Sequence, residues 1–186
     1  MYKKGFKRFL DITISLLLLL LCLLPFIVIA IAIRIDSKGN ILFIQERIGQ
    51  NREPFKIIKF RTMVFNAPSL GGSSTLSNDP RITKVGAILR KLSLDELPQL
   101  INVFKGDMSL IGYRPDVDAN LDYDYQVVYT LKPGITGLAQ VSGRSLLNTE
   151  CKTKLEIEYA KNISFLLDLK ILLKTIPVLL NTKVSN

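Results

Sequence analysis

The residues best placed for chemistry lie between positions 90 and 115, RKLSLDELPQLINVFKGDMSLIGYRP. Asp95 and Glu96 stand side by side, with Arg90 and Lys91 just upstream and Arg114 beyond. The chain has no histidine, which removes the commonest general base, the serine triads and most zinc sites. Any catalysis must therefore rest on carboxylates, amines, hydroxyls or thiols, and this acid pair among cations is the leading candidate. The same two acids could do no more than complement a helix dipole, as first-turn acids often do.

The element that must position them is a helix over 94–105. Ser93-Leu94-Asp95-Glu96 has capping-box spacing, Pro98 is tolerable only in a first turn, and Gly106 can end the helix. Leu97, Leu100, Ile101 and Phe104 recur at helical spacing. Both carboxylates would then lie where unpaired backbone N–H groups favour anions, phosphates included.

Twenty-five Lys and Arg oppose 16 Asp and Glu, a net charge of +9 that calls for an anionic partner. Residues 1–11 carry a net +3, from Lys3, Lys4, Lys7 and Arg8 against Asp11. The remainder is dispersed, with neither an arginine-rich arm nor an aromatic platform, so nucleic acid is not expected as a partner. Cys22 and Cys151 suggest neither a disulfide framework nor a metal knuckle. There is no GxxxxGK[ST] and no GxGxxG.

No charge falls among the 22 residues from Ile12 to Ile33. As one helix they would reach roughly 33 Å, enough to cross a bilayer. Pro25 interrupts them and sets the expected break, leaving arms 12–24 and 26–33 too short to cross alone. Two topologies follow, a kinked spanning helix or a re-entrant helix-break-helix. Basic residues on both flanks (Lys7 and Arg8; Arg34, Lys38 and Arg47) suit the second. A cleaved signal peptide is disfavoured by the length of the apolar run.

After the membrane segment, Ile41–Met63 reads as two short strands around the polar turn GQNRE. Phe55, Ile57, Lys59 and Arg61 share one face of the second strand, whose cations would grip phosphate, rim a membrane or simply face water. Residues 66–80 read as a long loop of the kind that forms lids, and helices are expected over 82–92, 150–162 and 163–180. The last is apolar round most of its circumference, with Lys170 and Lys174 on one stripe. That pattern suits a helix in the membrane interface or a buried helix with one exposed stripe. Asp116/Asp118 and Asp122/Asp124 have D-x-D spacing, which can hold a cation on a nucleotide-sugar but is more often a set of solvated loop acids.

Several long motifs, in order and almost end to end, carry a resemblance: KRFLDI, FKIIKFRTM, LRKLSLDELPQLINVFKGDMSLIG, KPGITGLAQVSGR and YAKNISFLLDLKILLKT. The chain resembles the bacterial sugar transferases of the small monotopic phosphoglycosyl transferase type. The resemblance implies an α+β, mostly helical protein: a re-entrant membrane helix over 1–36, then a compact cytoplasmic catalytic domain over 37–186 with a short β-hairpin and interfacial helices. It implies a location on the cytoplasmic face of the bacterial inner membrane. It also implies transfer of a sugar 1-phosphate from a UDP-sugar to polyprenol phosphate, releasing UMP through a covalent phospho-sugar on Asp95. Magnesium is the implied cofactor, on Glu96 and Asp95, with activation of the acceptor the other role the resemblance allows Glu96, and Lys59, Arg90, Arg114 and Arg144 are the implied phosphate or nucleotide contacts. Membrane lipid and downstream glycosyltransferases are the further partners. The chain departs from the family pattern at Leu24-Pro25, where Ser-Pro is common, and at Tyr113-Arg114-Pro115, where Pro-Arg-Pro is common. Two other readings remain: a glycosyltransferase that uses the D-x-D pairs and releases UDP, and a non-catalytic adapter at a membrane surface. Donor specificity is expected from 66–80 and 113–124.

Overall fold

The computed structural model describes residues 2, 5–70, 79–120, 122–143 and 147–180. Its order is helix α1 (Phe6–Leu21), α2 (Leu23–Asp36), strand β1 (Leu42–Ile48), β2 (Pro54–Phe60), α3 (Lys84–Lys91), α4 (Gln99–Lys105), β3 (Ser109–Ile111), β4 (Gly134–Thr136), α5 (Leu138–Ser142), α6 (Thr149–Asn162) and α7 (Phe165–Leu180). Short helical turns fill several of the connections. The protein is thus α+β and mostly helical, as expected, with an antiparallel β1–β2 hairpin and a small parallel β3–β4 pair.

The apolar N-terminal run forms two helices bent by 60°, and among the described residues no single helix is long and apolar enough to cross a membrane. The break differs from the expected one. It falls at Cys22, while Pro25 is the third residue of α2, inside its first turn. The reason lies in the proline's reach. Pro25 cannot donate to the carbonyl four residues back, that of Leu21, and its ring crowds that carbonyl. The upstream helix therefore stops at Leu21, and the proline sits where a missing N–H costs nothing.

Polar residues bind both ends of the bent pair to the rest of the protein. Asp11, 4% exposed inside α1, accepts from Ser109 Oγ and the Leu110 N–H. Arg8 donates to the Val103 and Phe104 carbonyls in the last turn of α4, joining the Gly106 N–H at the first of them. Lys7 pairs with buried Asp168 of α7. At the other end, Asp36 accepts from the Val85 N–H in the first turn of α3. Ile29 and Ile33 of α2 pack with Phe60 and Leu89, beside Leu94 and Leu97. Around the elbow, Leu17, Leu20, Leu21, Leu24, Ile27 and Val28 are more than half exposed.

The hairpin turns through Asn51 and Arg52, both at positive φ, the twist that a tight two-residue turn requires. Asn102 of α4, fully buried, then behaves like a third strand on the open edge of β2: its amide accepts from the Ile58 N–H and donates to the Lys56 carbonyl. This fixes β2, and Lys59 with it, against α4. The main core, with Ile111, Tyr113, Val128, Leu131, Tyr159 and Ile171 among its members, joins β3, α6 and α7. α7 still leaves Leu166, Leu173 and Ile176 more than half exposed, so its apolar circumference is not consumed by burial.

Candidate active site

Asp95 and Glu96 do not occupy the first turn of an α-helix. They lie in a single 3-10 turn, Leu94–Glu96, and the α-helix begins only at Gln99. The expected capping box is also absent, because Ser93 is left-handed (φ 55°) and its side chain makes no capping hydrogen bond. Pro98 explains the separation. It permits a turn ahead of it but cannot donate within an α-helix begun four residues earlier. The result is a tight knuckle between α3 and α4 that carries two successive carboxylates.

Cations reach this knuckle from separate parts of the chain. Lys59 Nζ, on β2, lies 2.8 Å from Glu96 Oε1. Arg114 Nη2, beyond β3, lies 3.0 Å from the same oxygen. Both therefore converge on Oε1, leaving Oε2 without a protein donor among the described residues. Arg90, on α3, donates from Nε to Thr62 Oγ1 (2.8 Å) and contributes favourably to the charge on Asp95. Its placement depends on Gly86: a Cβ there would come 2.0 Å from the Thr62 carbonyl oxygen, so only glycine lets α3 press this closely.

The two carboxylates have opposite electrostatic fates. Burial alone would raise the Glu96 pKa, but Arg114 and Lys59 outweigh it and hold the group well below the ordinary carboxylate range. Asp95 is pushed up to about 6, by burial first and by the Glu96 charge second, against the pull of Lys59 and Arg90. Asp95 makes no ion pair among the described residues. An unpaired, more basic carboxylate is the better nucleophile, and a clamped one the better fixed charge.

Sequence reasoning passed over Arg47, counted only as a basic flank of the membrane segment. It reaches the same group: Nη1 donates to the Pro115 carbonyl, and Nε and Nη2 donate to Gln45 Oε1. Burial and neighbouring Arg114 both lower its pKa. Alternation along β1 was the available signal, since Arg47 lies opposite Phe55, on the face that carries Lys59. Arg61, the other cation expected on that face, turns away and caps the chain after α2 at the Ser37 and Lys38 carbonyls. Arg144 lies outside the described residues, as does most of the 66–80 loop.

The D-x-D acids gather no metal site. Asp116 pairs with Lys152 at 2.7 Å, and among the described residues no cluster of three or more histidine, cysteine or acidic side chains could hold a metal ion. Asp95 and Glu96 remain a two-carboxylate edge with unclaimed oxygens. That fits a magnesium ion whose other ligands come from water and substrate phosphates.

Residues 2–182 match the model of a family described as bacterial sugar transferase. The chain belongs to the bacterial sugar transferase family. Among its relatives is the exopolysaccharide production protein ExoY of Rhizobium meliloti, 39% identical over 82% of this chain and 75% of that protein. The uncharacterized sugar transferase EpsL of Bacillus subtilis is 43% identical over 91% of this chain and 85% of its own length. The UDP-glucose:undecaprenyl-phosphate glucose-1-phosphate transferase of Caulobacter vibrioides is 41% identical over 95% of this chain and 70% of its own length. The sugar transferase described here is therefore an enzyme, and its Asp95-Glu96 knuckle is the candidate reaction centre.

Proposed function

We propose that this sugar transferase moves a sugar 1-phosphate from a UDP-sugar to undecaprenyl phosphate, as the first membrane step in assembling an exported glycan. The observation that carries the mechanism is the division of labour at the knuckle, with Glu96 clamped by Lys59 and Arg114 and Asp95 unpaired and raised to about 6. An Asp95 carboxylate oxygen attacks the β-phosphorus of the donor. The bond from that phosphorus to the bridging oxygen breaks, and UMP leaves with the electron pair. A phosphate oxygen of the lipid carrier then attacks the same phosphorus, the bond to Asp95 breaks, and the free carboxylate returns.

Lys59, Arg90 and Arg114 offset the repulsion a carboxylate meets at a diphosphate, and Arg47 adds positive charge beside them. Magnesium held by Glu96 and Asp95 would neutralise charge on the diphosphate. Arg144 remains a proposed donor contact on the strength of the motif alone.

Residues 1–36 serve as the membrane segment and 37–186 as the catalytic domain on the cytoplasmic face of the inner membrane. Attachment of both ends of the bent pair to one body supports a re-entrant path, because Arg8 and Asp36 each dock onto helices that flank the knuckle. The apolar elbow and the exposed leucines of α7 would then share the lipid surface, bringing the carrier's phosphate to Asp95.

The test of the reaction is nucleotide release. With undecaprenyl phosphate and magnesium, the enzyme should release UMP from at least one UDP-sugar, whereas UDP would mean direct glycosyl transfer. Without acceptor, labelled sugar phosphate should remain on the peptide containing Asp95; sequential kinetics with no trapped adduct would exclude the covalent step. For topology, cysteines replacing exposed Gly5 and Lys38, in a background lacking Cys22 and Cys151, should both resist an impermeant thiol reagent in intact cells. Labelling of one alone would mean that the segment spans.

A further inference from the structure

Arg114 is the less sheltered half of the clamp on Glu96. Its side chain is 46% exposed against 17% for that of Lys59, so little packing holds the guanidinium at its 3.0 Å contact. The main chain beneath it must do the holding, and it is gripped residue by residue. The Tyr113 carbonyl accepts from the Gly134 N–H at 2.8 Å, and the Asp116 carbonyl from the Ile48 N–H at 3.0 Å. Between them the Pro115 carbonyl accepts from Arg47 Nη1, and Lys152 pairs with the Asp116 carboxylate. The N–H of Arg114 itself donates to Glu156 Oε1, on α6, at 3.2 Å. Glu156 is 2% exposed and makes no ion pair among the described residues; its other oxygen accepts from the hydroxyl of Tyr125, itself 4% exposed. Burial raises the Glu156 pKa, so the acid is kept at a cost. An apolar side chain would fill the same place without that cost, but would leave the Arg114 N–H and the Tyr125 hydroxyl without their acceptor.

We propose that Glu156 is a positioning residue for the transfer, fixing the main chain at Arg114 so that the guanidinium meets Glu96 and leaves Asp95 unpaired. The inference rests on the proposed reaction at the knuckle and adds to it the helix, α6, on which half of the clamp depends. Glu156 acts through one backbone hydrogen bond and touches no reacting atom. Leverage makes that bond matter. A small turn of the main chain becomes a large displacement at the end of an arginine side chain, and a misplacement of about 1 Å at a reaction centre can cost about a hundredfold in rate. Once loose, the guanidinium would be free to pair with Asp95, whose charge it already feels. A paired carboxylate is the weaker nucleophile.

The experiment is a double-mutant cycle on UMP release from the best donor of a UDP-sugar panel, with undecaprenyl phosphate and magnesium. Glu156→Leu should lower kcat/KM about tenfold in the otherwise unmodified enzyme and less than about twofold when Arg114 is already replaced by Ala. Glu156→Gln, whose amide oxygen can still accept from the Arg114 N–H, should stay within about threefold of the unmodified enzyme. Tyr125→Phe, which frees only the second oxygen, should cost about threefold with the same dependence on Arg114, and it carries the test should Glu156→Leu not fold. A second readout follows position directly. In protein labelled at the arginine nitrogens, the Arg114 side-chain signal, identified by its loss in Arg114→Ala, should report an ordered guanidinium that becomes mobile in Glu156→Leu or Tyr125→Phe. Equal losses in both backgrounds would make Glu156 purely structural and overturn the assignment. So would an Arg114 guanidinium as ordered in the variants as before, or a Glu156→Gln enzyme as slow as Glu156→Leu. If the unmodified enzyme released no UMP from any donor, the transferase reading itself would fall, and the arginine spectra would still judge the positioning.

Discussion

Two carboxylate sites in this molecule draw on the same residue types to opposite ends. Asp168 accepts from Tyr2, Lys7 and Tyr159, using both oxygens, and stays 3% exposed. It ties α1, α6 and α7 together, and nothing remains for a ligand to claim. At the Asp95-Glu96 knuckle the cations fall on one oxygen of Glu96, while Asp95 is left unpaired. Proximity of acids and cations therefore does not mark a reaction centre. The number of acceptor positions left unused does.

The strongest way to break the comparison is to neutralise each acid in turn. Asp95→Asn should cut UMP release on the order of 10⁴-fold, the scale of losing a nucleophile. Its melting temperature at neutral pH should not fall, since the amide removes a charge that folding disfavours. Asp168→Asn should do the reverse, costing about 3 kcal/mol of stability because Lys7 is left partly buried without its counter-charge and two tyrosine hydroxyls lose an anionic acceptor. Activity per folded molecule should stay within about threefold. Thermal melts and single-turnover assays on both variants check the pair, and a stable Asp168→Asn protein would remove the contrast.

A gentler test uses protons. In metal-free protein, labelled at the aspartate carboxyls, Asp95 should titrate near pH 6. Glu96→Gln should bring that value down, because it deletes a like charge and frees Lys59 and Arg114 for Asp95. The sign for stability follows. The native state binds this proton more tightly than the unfolded chain does, so the contribution is fully present below about pH 4 and is lost as pH rises toward 6. A midpoint near 4 in the unmodified protein would mean Asp95 is not desolvated. The smallest effect is expected at Ser93, where Gly relieves a left-handed φ. Ser93→Gly should leave stability within about 1 kcal/mol and turnover nearly unchanged.

Much of the site was legible because its chemistry is carried by short motifs. Asp95, Glu96 and Lys59 sit in long, ordered stretches that resist chance matching, Arg114 lies just beyond one of them, and the structure brings the four together. Local geometry was harder to read. The capping-box spacing at Ser93 is an i, i+3 cue that suits a 3-10 turn as well as an α-helix, and Pro98 decides between them. Pro25 signalled the bend in α1–α2, but its steric reach is four residues upstream, which moves the break to Cys22. Arg47 and Glu156 were missed for a different reason. One looked like membrane-flanking charge and the other like an ordinary helix acid, and only tertiary packing places both around Arg114.

The attachment of α1 also bears on how the enzyme is made. Arg8, Asp11 and Lys7 find their partners 95 to 161 residues further along the chain. During synthesis from the N-terminus, the apolar elbow emerges long before Val103, Ser109 or Asp168 exist to receive those polar side chains. On the proposed membrane placement of the elbow, the rest of the protein would close onto a helix already seated in lipid, so delivery to the membrane would precede the docking of α1.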